Sequence, residues 1–162
     1  MDDIKKFLRP SVKSRFRQGY YTPQNPSKYK GDPTKIIYRS SWEKKFMIWL
    51  DMTDKVTEWN SEGMSIKYFY EVDNKQHTYF PDFYFSYQKD ESTLLKYIIE
   101  VKPHSQLSKP RRPSVETYSN MMKYKMRLEN YIKIENKTKY IKRWCRENGF
   151  IFSFLTEKSN LI

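Results

Sequence analysis

Three side chains in this 162-residue chain have the types and spacing to do metal and acid–base chemistry together. In "YIIEVK", residues 97–102, Glu100 and Lys102 stand two apart, so on a strand they share one face while Ile99 and Val101 take the other. Asp82 follows Pro81 in "HTYFPDFYF", residues 77–85, a run that otherwise reads as a strand. Proline cannot donate to a β-ladder, and a carboxylate among aromatic rings is costly to bury unless it is paired or holds a metal. Pro81 is expected to disturb the ladder and re-aim Asp82, with Phe80, Phe83 and Phe85 as rigid support. On neighbouring strands, Asp82, Glu100 and Lys102 converge. Two carboxylates with an ammonium beside them suit Mg²⁺, a hard cation that takes oxygen ligands, keeps waters and also binds phosphate oxygens. Such an ion neutralises phosphate charge and acidifies a bound water, while Lys102 orients that water or stabilises a pentavalent, phosphorane-like state.

The elements that must position these residues follow from periodicity. "SSWEKKFMIWLD", residues 40–51, predicts a helix: Trp42, Phe46, Trp49 and Leu50 form one stripe, and Ser40 and Glu43 have capping-box spacing. Residues 55–63 read as a short strand and turn. "MSIKYFYEV", residues 64–72, alternates, with Met64, Ile66, Tyr68, Tyr70 and Val72 on one face. "DNK" at 73–75 is hairpin turn chemistry, so 76–87 is expected as the second strand of that hairpin. Residues 95–102 predict a buried strand, and the proline-rich, basic stretch 103–113 predicts a loop. Helices are expected over 114–132 and from about Asn136 to Asn148-Gly149, then a strand over 150–157. The expected order is α-β-β-β-α-α-β, an α/β (α+β) fold with a mixed sheet flanked by helices. Residues 1–39, with four prolines and no sustained period, are expected as an irregular basic arm on a single domain spanning 40–162.

Composition narrows the function classes. An aromatic share of 17%, with 14 tyrosines, is too high for a disordered chain. The single Cys145 excludes an internal disulfide and a Cys-based zinc site made by this chain alone, and favours a reducing, intracellular setting. No apolar run approaches the roughly 20 residues that span a bilayer, so no membrane is expected, and "MDDIKKFLRP" is too polar for a secretory signal. The net charge of +12 is segregated. Residues 1–45 carry 12 Lys/Arg against 4 Asp/Glu, residues 46–100 carry 5 against 10, and residues 101–148 carry 13 against 4. Basic flanks suit a polyanion such as double-stranded DNA, and the acidic middle coincides with the carboxylates singled out above.

The Pro81-Asp82 pair followed by Glu100-Val101-Lys102 resembles the PD-(D/E)xK nuclease signature. The resemblance implies a restriction-endonuclease-like core, metal-dependent phosphodiester hydrolysis and a further glutamate from the preceding helix, here Glu43. On this basis Glu43, Asp82 and Glu100 hold Mg²⁺, with Mn²⁺ able to substitute, and Lys102 assists the attacking water. "KYKGDPTKIIYRSSWEKKF", "HTYFPDFYF", "IIEVKP" and "NGFIFSFLTE" are similar, in the same order, to stretches of the head-completion nucleases of T4-like tailed phages. That likeness covers roughly residues 26–157. It implies endonuclease and exonuclease activity on DNA, a place in finishing the filled head before tail joining, and a location in the cytoplasm of the infected host or on the virion. "HTYFPDF" also resembles the same element of phage junction-resolving endonucleases and of the cutting subunit of Tn7-like transposases.

Each candidate has a plainer reading beside it. Glu43 also fits as the third-position partner of Ser40 in a capping box, and Glu62 reads as a turn residue before it reads as a site carboxylate. His77 stands five residues before Asp82, which puts it on the opposite face of a regular strand unless Pro81 introduces a bulge. Phosphate contact is the expected role for Arg39, Lys44, Lys45, His77, His104, Arg111 and Arg112, and also for Lys123 and Lys125, against that of a solvated basic surface. Tyr140, Trp144 and Cys145 have core spacing. One domain reading both DNA strands calls for a homodimer or a partner. The reading from another class is a structural virion protein that docks at a portal, neck or head through its aromatic and basic surface without catalysis.

Overall fold

The computed structural model describes residues 18–71 and 73–159. Along the chain run β1 (Gly19–Tyr21), β2 (Ile36–Tyr38), α1 (Ser41–Met52), β3 (Val56–Ser61), β4 (Ile66–Tyr70), β5 (Lys75–Tyr79), β6 (Phe83–Gln88), β7 (Leu94–Val101), α2 (Tyr118–Glu147) and β8 (Ile151–Leu155). Short 3₁₀ turns lie at Pro26–Lys28 and His104–Gln106. The central sheet has the order β3-β6-β7-β8. Its first three strands are antiparallel, and β8 lies parallel to β7 after the crossover through α2. This is the mixed, helix-flanked α+β arrangement expected.

Strand alternation gives the sheet two buried faces. On one, Phe46, Met47 and Leu50 of α1 pack with Tyr21, Ile36, Val56, Trp59, Phe83, Phe85, Ile99 and Leu155. Each large apolar side chain so buried contributes about 1.5–3 kcal/mol. On the other, Ile98 meets Ile66 and Tyr79 of the β4–β5 hairpin and Ile141 and Cys145 of α2. Helix α1 starts where expected: Glu43 N donates to Ser40 Oγ at 3.1 Å, and Ser40 Oγ donates to Glu43 Oε1 at 2.9 Å. Among the described residues, no helix is long and apolar enough to cross a membrane.

Four expectations need correction. Residues 76–87 are not one strand. The ladder stops at Tyr79 and resumes at Phe83, and the two halves belong to different sheets: β5 pairs only with β4, while β6 joins the central sheet. Pro81, fully buried and without an N–H, stands in the break. The two expected helices are one 30-residue helix, α2, because the stripe Ile134, Ile141 and Cys145 runs through the expected gap and no proline or glycine interrupts it. It ends as expected at Asn148, followed by Gly149 at φ +74°.

Residues 18–39, expected as an irregular arm that orders on the domain or on DNA, order on the domain and are not irregular throughout. Strands β1 and β2 pair antiparallel, and Tyr21, Ile36 and Ile37 are buried. Asp51, fully buried at the end of α1, ties this segment down by accepting from Tyr21 Oη (2.9 Å), Gln24 N (2.7 Å) and Asn25 N (2.9 Å). The expected domain boundary at 39/40 would therefore cut through the core, and the element order gains β1 and β2 before α1. Residues 1–17 of the expected arm, and the expected face of Val72, lie outside the described residues.

Candidate active site

The break at Pro81 is what brings the chemistry together. Asp82 stands just before β6, and its Oδ2 accepts from Val101 N, at the end of β7, at 2.7 Å. Alternation along β7 turns Glu100 to the hairpin and α2 side, where it is 3% exposed. Glu100 Oε2 accepts from Tyr79 Oη at 2.6 Å. Its Oε1 lies 3.1 Å from Lys102 Nζ and 2.8 Å from Lys137 Nζ. Backbone bonds fix the frame: Glu62 N donates to Asp82 O at 3.2 Å, and Lys102 N donates to Leu155 O at 2.9 Å. Asp82, Glu100 and Lys102 are thus gathered at one end of the β6–β7 pair.

Glu43 stands at the margin. Its charge is felt at Asp82, yet Oε2 accepts from Arg39 N at 2.7 Å and Oε1 takes the Ser40 hydroxyl, so the capping role is realised. Arg39 makes a forked pair with Glu62, Nε to Oε1 at 2.8 Å and Nη2 to Oε2 at 3.1 Å. The guanidinium is stabilised in its charged form by Glu62 first, then by Glu43 and Asp82. Glu62, at φ +53°, has the turn backbone expected of it and lines the same cleft as Asp82. That cleft, about 580 Å³, opens between the hairpin and the segment after β3 and also presents Tyr68, Tyr79, Phe80 and Lys137. Phe80, expected with Phe83 and Phe85 as buried support, is 41% exposed, because it belongs to the break.

Charge at the centre is unevenly shared. Burial, then the neighbouring charge of Glu100, pushes the Asp82 carboxyl up to about 7, against the smaller opposing effects of the Val101 N–H and Lys102. Burial acts on Glu100 in the same sense, but the ammoniums of Lys137 and Lys102 outweigh it and keep Glu100 ionised. Four carboxylates (Glu43, Glu62, Asp82, Glu100) stand with three cations (Arg39, Lys102, Lys137), and the excess of negative charge is relieved at Asp82, the group most ready to take up a proton. The donors are hard oxygens and the surplus is negative, which suits a divalent cation. Among the described residues, however, no three His, Cys, Asp or Glu side chains are drawn together closely enough to cage an ion as they stand. Glu43, Glu62 and Glu100 are each engaged by neighbouring donors.

The remaining candidates lie elsewhere. His77 sits toward the hairpin end, its Nε2 2.8 Å from Asp73 Oδ2 and its ring against Tyr68 and Tyr70. Its spacing from Asp82 says nothing about faces, because His77 belongs to the β4–β5 hairpin and Asp82 to the break before β6. His104 N donates to Glu157 Oε2 at 2.9 Å. Lys44 lies over the Tyr38 ring at 5.2 Å, and Lys45 is exposed on α1. Arg112 pairs with Glu116, while Arg111 lines a shallow concavity with Lys123 and Arg127 of α2. Cys145 is buried and Trp144 packs against the same cluster at the hairpin–α2 layer, as expected, whereas Tyr140, also expected in the core, is 38% exposed and lies near the Tyr68 ring.

Sequence reasoning passed over Tyr79 and Lys137. Lys137 stands three after Ile134 and four before Ile141, on the buried face of α2. That stripe was its signal, once the helix is read as continuous.

A family model described as TnsA-like endonuclease N terminal matches residues 53–157, a span that includes Asp82, Glu100, Lys102 and Lys137 but not Glu43. The head completion nuclease of Enterobacteria phage T4 is 34% identical over 139 residues, covering 86% of this chain and 90% of that protein. No solved structure matches the chain.

Proposed function

We propose a function from one premise: the chain belongs to the TnsA-like endonuclease family. It is a divalent-metal-dependent DNA endonuclease that hydrolyses phosphodiester bonds, and it acts in head completion of a tailed phage, as the name of its T4 relative says of that protein. The observation that carries the reading is the convergence of Asp82, Glu100 and Lys102 at one end of β6 and β7, where burial and the charge of Glu100 leave the Asp82 carboxylate in need of a cation. Double-stranded DNA is the substrate, held by the basic segments that flank the acidic centre. The protein works in the infected host's cytoplasm or on the virion, and a homodimer or a portal, neck or head partner supplies what one domain lacks for cutting both strands.

Asp82 and Glu100 are the residues to hold Mg²⁺ or Mn²⁺, with Glu43 available from the margin. The cation supplies phosphate neutralisation and a lowered pKa for water. The chain's own residues do the rest. Val101 N aims the Asp82 carboxylate, and Tyr79 orients Glu100. Lys102, its side chain 28% exposed and its Nζ 3.1 Å from Glu100 Oε1, orients the attacking water or stabilises charge developing on the phosphoryl oxygens. Arg39, beside Glu62, Glu43 and Asp82, is placed to meet a phosphate.

Plasmid DNA incubated with the purified protein and Mg²⁺ or Mn²⁺ tests this reading. Wild type nicks the plasmid, and Asp82→Ala and Lys102→Ala do not. Nicking that persists in both variants removes the mechanism. A folded wild type that retains DNA without cutting it favours the docking protein.

A further inference from the structure

Glu100 is buried deeply enough that its charge must be compensated locally. An ionised carboxylate offers about four lone-pair positions. Three are in use: Tyr79 Oη holds Oε2, while Lys102 and Lys137 both reach Oε1. A divalent cation joining Asp82 to Glu100 through Oε1 must therefore take a position that an ammonium now fills. The two lysines are not equally able to leave. Lys102 stands two residues from Glu100 on the same strand end, with its backbone N tied to Leu155 O. Lys137 reaches in from α2, on a separate layer, over the Tyr79 ring at 4.5 Å. Its side chain, 20% exposed, lines the cleft that Asp82 also lines, so it has somewhere to go.

We infer that Lys137 is a built-in counter-cation: it neutralises Glu100 in the metal-free protein and is displaced into the cleft when a divalent cation binds. The inference rests on the metal-dependent reading above. It makes metal entry an exchange of one cation for another. The released ammonium arrives on the wall of the cleft where a phosphodiester approaching Asp82 would lie. Lys137 is in this sense a positioning residue that acts through Glu100.

Calorimetric titration of Mn²⁺ into the full chain, without DNA, separates this role from a structural one by the sign of the change. Lys137→Met removes the competitor and is expected to bind Mn²⁺ about tenfold more tightly than wild type. Lys137→Gln moves in the same direction, and Lys137→Arg, which keeps the charge, binds no more tightly than wild type. A lysine that merely props up the site would weaken Mn²⁺ binding when removed. Weaker or unchanged affinity in both Lys137→Met and Lys137→Gln overturns the inference. Wild-type protein gives a second readout that needs no variant to fold. Acetylation of Lys137, mapped by mass spectrometry, is expected to rise several-fold on saturation with Mn²⁺ relative to the exposed Lys142, and no rise overturns the inference. If wild type binds Mn²⁺, Asp82→Asn abolishes binding and the Lys137 variants do not tighten it, this inference alone falls. Absence of Mn²⁺ binding by wild type overturns the metal-dependent reading with it.

Discussion

Two buried carboxylates, Asp51 and Glu100, sit at the ends of regular elements in opposite layers of the molecule, and their surroundings have little in common. Asp51 accepts from two backbone N–H groups and a tyrosine hydroxyl, all neutral, and those bonds hold the β1–β2 segment against α1. Glu100 takes one tyrosine hydroxyl and two ammoniums, and beside it Asp82 bears a charge it holds only weakly. The first arrangement is a closed polar lock. The second is crowded with charged partners, two ammoniums on one carboxylate oxygen, and has a further carboxylate beside it. Burial alone does not mark a functional carboxylate; what matters is whether its partners are fixed and neutral or charged and replaceable.

The sharpest way to break this contrast is to delete one carboxylate from each region. Asp82→Ala is expected to lower DNA cleavage by about 10³-fold or more, with melting temperature held or raised. Asp51→Ala leaves cleavage per folded molecule unchanged, and comparable losses of activity in the two variants would erase the distinction. Stability should show the opposite pattern. Asp51→Ala leaves one buried and two part-buried donors without their acceptor and is expected to lose about 3 kcal/mol in urea unfolding.

Titration sharpens the contrast further. The folded pKa of Asp82 is raised to about 7 from an ordinary carboxylate value of 3.8. The unfolded state therefore gives up this proton first, and stability declines as pH rises from about 4 to about 7. Asp82→Asn removes that load, so its advantage over wild type in the metal-free protein is expected to be absent near pH 4 and to reach about 4 kcal/mol above pH 7. An advantage independent of pH would mean that Asp82 bears no special charge. The smallest effects come from single hydroxyls. Tyr21→Phe is expected to cost about 1 kcal/mol of stability with cleavage unaffected. Tyr79→Phe is expected to cost a similar amount while lowering cleavage about tenfold, because it loosens Glu100.

The charged end of β7 was legible because period two is rigid: Glu100 and Lys102 had to share a face once residues 95–102 read as a strand. The capping box at Ser40 and Glu43 was equally local. What escaped the sequence was long-range. Asp51 finds its partners 26 to 30 residues upstream, in a stretch whose prolines and lack of period gave no sign of packing. Pro81 read as a bend because aromatic residues alternate on both sides of it. Nothing local says that Tyr79 and Phe83 belong to different sheets. Lys137 was hidden for a related reason: a helix split near Asn136 puts Ile134 and Ile141 in separate elements and dissolves the face they share.

The parallel pairing of β7 with β8 also sets an order of events. Glu100 lies opposite Phe154, and Lys102 N is fixed by Leu155 O, so the strand end that carries the chemistry gains its second neighbour only when β8 docks. The whole of α2, which bears Lys137, lies between them in the chain. Pairings this distant in sequence form late in folding. At a synthesis rate of about 5–20 residues per second, β8 emerges about 3–10 s after Lys102. The surroundings of Glu100 and Lys102 are therefore complete only after translation has passed Leu155.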